Sequence, residues 1–98
     1  MAGAARKSAP TFELRITGER AGIPMSRELY NGGSENTARG CLYVARESVI
    51  ASGATALLTI WTTEHRDGAR YREMILRQNI HQGNPFNVEE FSQGGARK

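Results

Sequence analysis

Asp67-Gly68 is the feature that most restricts what this chain can fold into. The pair stands between two runs rich in β-branched, aliphatic and aromatic residues, 55–64 and 69–78, and Asp-Gly readily takes the two positive φ angles of a two-residue hairpin turn. With that turn fixed, Arg66 faces Ala69. Counting back pairs His65 with Arg70, Glu64 with Tyr71, Trp61 with Met74 and Ile60 with Ile75. One face of the ribbon then carries Leu58, Ile60, Tyr71 and Ile75. The other carries Leu57, Trp61, Met74 and Leu76, with Arg70 and Arg72 beyond them.

Upstream, Phe12, Leu14 and Ile16 alternate with Glu13, Arg15 and Thr17, the period of a half-buried strand over residues 11–17. Ile23, Met25 and Leu29 allow a second strand after the turn-like stretch 18–22, and Pro24 pushes it toward a sheet edge. Asn31-Gly32-Gly33 breaks the chain, and Ser34 stands where a helix N-cap belongs. Ala38, Cys41, Leu42, Ala45, Val49 and Ser52 then recur every three or four residues, which predicts a helix over 35–51 that Gly53 stops. Gly40 weakens its interior by roughly 1 kcal/mol. Asn84-Pro85 reads as a cap and first helical position, followed by a turn or two of helix whose Phe86 and Phe91 fold back as a plug. The expected fold is a small α+β domain of order β-β-α-β-β, with one long helix packed on an antiparallel sheet and a C-terminal hairpin. Such a helix covers one face of the sheet and leaves the other open.

Ninety-eight residues make one domain with a modest core. Residues 1–10 are small, basic and aperiodic and read as a disordered arm, 11–91 as the folded unit, and 92–98 as a disordered tail. The net charge is +3, and among the cations only Lys7 and Lys98 are lysine. Arginine in that excess suits bidentate contacts to carboxylates or phosphates. Its interleaving with Glu13, Glu19, Glu28, Glu35, Glu47, Glu64 and Glu73 points to solvated ion pairs. Cys41 is the single cysteine, so a disulfide framework and a thiolate metal cluster are both excluded, and a reducing compartment is expected. No apolar run reaches membrane-spanning length and no leader-like apolar region follows the first cations, so the expected location is the cytoplasm.

No catalytic set stands out. His65 and His81 lack neighbouring ligands, Glu64, His65 and Tyr71 have no role-specific spacing, and Gly32-Gly33 lacks the lysine of a phosphate loop. No enzyme activity, cofactor, metal or small-molecule substrate is expected. The leading expectation is a small interaction or inhibitor protein, of the size and composition of a bacterial or phage accessory protein. It would hold a protein partner or form a homodimer through a sheet face or edge, with Leu57, Trp61, Arg70, Arg72, Met74 and Leu76 as the contact residues. The alternative is a single-stranded nucleic-acid or RNA binder that stacks a base on Trp61 and contacts the backbone through Arg6, Lys7, Arg70 and Arg72.

The arm adds one resemblance. Ala4-Ala5-Arg6-Lys7-Ser8-Ala9-Pro10 is identical to a stretch of the histone three tail, with Lys7 at the position of a methylated lysine. It covers those seven residues, and nothing from Thr11 onward is histone-like. It implies a mimic of a chromatin substrate, offered to a methyltransferase or reader.

Overall fold

A computed structural model describes residues 9–20 and 22–91. Arg6 and Lys7, most of the histone-like stretch and the tail beyond Phe91 lie outside the described residues. The elements run β1 (Thr11–Arg20), β2 (Ile23–Gly32), α1 (Glu35–Ser52), β3 (Ala56–Arg66), β4 (Ala69–His81) and β5 (Asn84–Glu90). All pairings are antiparallel, in the order β2-β1-β3-β4-β5. This is the expected α+β class, extended by a fifth strand. After the β1–β2 hairpin, α1 carries the chain over the sheet so that β3 returns on the free side of β1.

Local chemistry explains each boundary. Ser34 Oγ accepts from the Thr37 amide at 3.1 Å, which satisfies one of the free N–H groups of the first turn of α1. Gly53 ends the helix at φ 72°, and its amide donates to Ile50 O at 3.1 Å. Asp67 and Gly68 take φ angles of 51° and 80°, as the hairpin requires.

A second turn of the same kind corrects the expectation for the C-terminal segment. Gln82 and Gly83 have φ angles of 53° and 76°, so the chain turns back and Asn84–Glu90 forms β5 where a capped helical turn was expected. The Gly83 amide donates to Ala54 O at 2.8 Å, which ties this turn to the end of α1. A Cβ on Gly83 would stand 2.8 Å from Gly53 Cα, so the close approach needs glycine. Phe86 is no plug either. It stacks on His81 with ring centres 5.6 Å apart and stays largely exposed. Pro24 and Pro85 each occupy the second residue of an edge strand, where a missing N–H breaks no interior ladder.

The core lies between α1 and one sheet face. Ala38, Leu42 and Val49 of the helix join Phe12, Leu14, Leu58, Ile60 and Ile80 of the sheet. The hairpin register follows the sequence count from Arg66–Ala69 to Trp61–Met74 and then shifts by one, so that Ile60 pairs with Leu76 and not with Ile75. A β-bulge at this point gives β4 one extra residue. It turns Leu76 under the helix, 4 % exposed, beside an equally buried Ile75. The expectation that Leu76 lies on the open face is thereby corrected.

Candidate functional site

Two surfaces could meet a partner: the sheet face away from α1, and the flank where α1 overhangs β2. The first gathers Leu57, Trp61, Arg72 and Met74 as the sequence suggested, with Arg70 farther out, opposite His65 near the turn. Its indole is not free. The Arg72 guanidinium lies 4.1 Å from the centre of the Trp61 ring, a cation–π contact, and Trp61 Nε1 donates to Thr59 Oγ1 at 3.2 Å.

Glu13 organises the same face from β1. It accepts from Arg15 Nη1 at 2.6 Å and from Arg72 Nη2 at 3.0 Å. Its burial favours the neutral acid. The hydrogen bonds from Arg15 and Arg72, together with their charges, outweigh that effect and hold the carboxyl below its ordinary value. Arg15 Nε also donates to Ser26 Oγ at 3.1 Å, so the ion pairs of β1 and β4 connect to a hydroxyl on β2 and, through Arg72, to the Trp61 ring on β3. At the far side Arg77 pairs with Glu89 of β5. The face carries arginines around a tryptophan, but carboxylates already hold Arg15, Arg72 and Arg77.

The second surface is the apolar one. Ile16, Leu29, Cys41, Val44, Ala45 and Val49 line a groove of about 720 Å³ between α1 and β2. It runs past Ile16, Arg27 and Val49 into a second recess of about 510 Å³ that includes Met25. Beside it stand Ile23 at 63 %, Met25 at 53 % and Val44 at 67 % exposure. Arg27 is the charged residue in the groove wall, and it has no ion pair or hydrogen bond among the described residues. β2 is also a sheet edge ten residues long.

Sequence reasoning placed Ile23, Met25 and Leu29 on one face of β2 but did not assign them to a site. The overlooked clue was on the helix. Tyr43 and Val44 fall off the apolar stripe, at positions that an ordinary solvated helix face fills with polar residues.

Among the described residues there is no group of three or more His, Cys, Asp and Glu side chains that could hold a metal ion, and no helix long and apolar enough to cross a membrane. No protein-family model, curated protein or solved structure matches this chain.

Proposed function

We propose that this chain is a non-enzymatic interaction protein that holds a protein partner, or its own copy, through the apolar surface between α1 and β2. The observation that carries this reading is the continuity of Ile23, Met25, Leu29 and Val44 with an open groove beside an edge strand. Exposed apolar surface of that extent costs solubility unless something covers it. The Trp61 face supports the reading less well than the sequence suggested, because its arginines and its indole already satisfy one another.

The test compares tagged wild-type protein with Val44→Asp and Leu29→Asp in affinity capture from cells that make it. A partner held by the wild type and released by both variants is expected. Equal retention by all three would sink the reading.

A second reading, single-stranded nucleic acid on the open face, draws support from exposed Arg70 and requires a base to displace Arg72 from the Trp61 ring. It predicts affinity that falls steeply with salt and drops on Trp61→Ala.

A further inference from the structure

We infer that the occupant of the α1/β2 surface is a second copy of this chain, with β2 paired antiparallel to β2 of its partner about a two-fold axis at Ser26. This rests on the reading that the surface serves protein contact, and it adds the identity of the partner and the register.

The register comes from side-chain faces and charge. A two-fold axis normal to the sheet keeps each side chain on its own face, so residues that meet across the axis must share a face. Centring the pair on Arg27 sets two guanidinium groups against each other, and centring it on Glu28 does the same for two carboxylates. Like charges directly opposite are destabilising. Centring on Met25 or on Ser26 avoids both, and Ser26 is the register that sets Ile23 against an apolar residue where Met25 would set it against Arg27. Met25 then meets the aliphatic stem of the partner's Arg27, Ile23 meets the partner's Leu29, and Glu28 meets the partner's Pro24, each pair on one face. The run Ile23–Leu29 closes on itself with small Ser26 on the axis.

The dimensions agree. The helix packs chiefly over β1, one strand in from the edge. With strands about 4.8 Å apart, two joined sheets would hold their helices on the order of 14 Å from each other. That exceeds the roughly 8–10 Å of direct helix packing. The space between the helices suits side chains, and Met25, Leu29, Val44 and the aliphatic stem of Arg27 from each copy stand ready to fill it. Gly40 lines the same groove, and apart from its own turns of helix backbone nothing in the chain lies within 4 Å of where its Cβ would be, so a single copy leaves that volume open. Two five-stranded sheets would become one of ten, with both β2 edges removed from solvent; Pro24 opposite Glu28 leaves one ladder hydrogen bond unmade at each end of the seam, so the pairing is carried by the central run 25–27.

The experiment reads oligomeric state and register together. Sedimentation or light scattering across micromolar to millimolar concentration is expected to give a dimer, and Met25→Asp a folded monomer by circular dichroism. In a Cys41→Ala background, Ser26→Cys is expected to form an intermolecular disulfide on mild oxidation, because directly opposed Cα atoms stand about 4.5–5.5 Å apart. Arg27→Cys is the control. In this register its two copies lie roughly 8 Å apart, beyond disulfide reach. A dimer that Ser26→Cys does not cross-link would overturn the register and with it the proposal, and cross-linking by Arg27→Cys would move the axis there. A monomer at every concentration would overturn the proposal outright. If Val44→Asp still released a captured protein in that case, the broader interaction reading would survive.

Discussion

The two faces of the sheet are built from the same strands, often from adjacent residues, and solve opposite problems. On the α1 side, Leu14 and Ile60 lose all contact with water and contribute through apolar area and close packing. One residue away on the other side, Glu13 and Trp61 meet polar partners, and that face holds itself together with arginines bonded to a carboxylate and laid on an indole. An uncovered sheet face therefore need not be a vacant one. Ion pairs from β1 to β4, extended by the Ser26 hydroxyl and the Trp61 ring, occupy much of it, whereas the incompletely covered apolar ground lies at the flank of the helix.

That contrast can be broken or sharpened by mutation. The largest effect belongs to the covered face: Ile60→Ala should destabilise the fold by about 2–5 kcal/mol in urea denaturation, as truncation of a fully buried side chain does. A cost under about 1 kcal/mol would mean that α1 and the sheet are loosely packed. On the open face, Glu13→Gln should cost about 1 kcal/mol, since the loss of one carboxylate releases two arginines that remain partly solvated.

The Glu13 effect has a definite pH dependence. Its folded-state pKa lies below the ordinary value of 4.5, so its contribution is fully present above that value and is lost as pH falls through the lowered folded-state pKa. The stability difference between wild type and Glu13→Gln should therefore shrink on acidification below about pH 4.5. A difference that is flat through that range would mean that the ion cluster does not form in solution.

At the flank of α1, Gly40→Ala should raise stability by up to about 1 kcal/mol, because the helix gains propensity and nothing in the chain obstructs the added methyl. A loss measured on the dissociated monomer would place a neighbour at Gly40 within one copy, whereas a loss confined to the dimer would place the partner there. Smallest of all, Val44→Asp should change monomer stability by no more than roughly 0.5 kcal/mol, as at any solvated helix position, while removing association. If it unfolds the protein, Val44 belongs to the core and the groove is not a free surface.

The residues themselves dictated the elements with strong local chemistry. Alternation around Leu14, the stripe from Ala38 to Val49, the Ser34 cap, the Gly53 stop and the Asp67-Gly68 turn each rest on contacts a few residues apart, and each recurs in the fold. The same chain held a less visible copy of the hairpin turn in Gln82-Gly83. Glutamine at positive φ is uncommon, and the adjacent Asn84-Pro85 resembles a helix start, so local preference pointed away from β5. What anchors that turn is distant in sequence: the Gly83 amide on Ala54 O and the glycine contact with Gly53.

The candidate site divides the same way. Hairpin counting brought Trp61, Arg72 and Met74 to one face. The bulge that withdrew Leu76, the reach of Arg15 and Arg72 to a shared Glu13, and the apolar flank of α1 over β2 emerged only with the assembled sheet. The residues by themselves determined β1, α1 and the β3–β4 hairpin, though not β5, because dihedral preference, capping and side-chain period act over a few bonds. Tertiary structure decided which side chains are shared, covered or left facing water, because β1 meets β3 and β3 meets β4 through pairings whose register depends on the packing of the whole sheet under the helix.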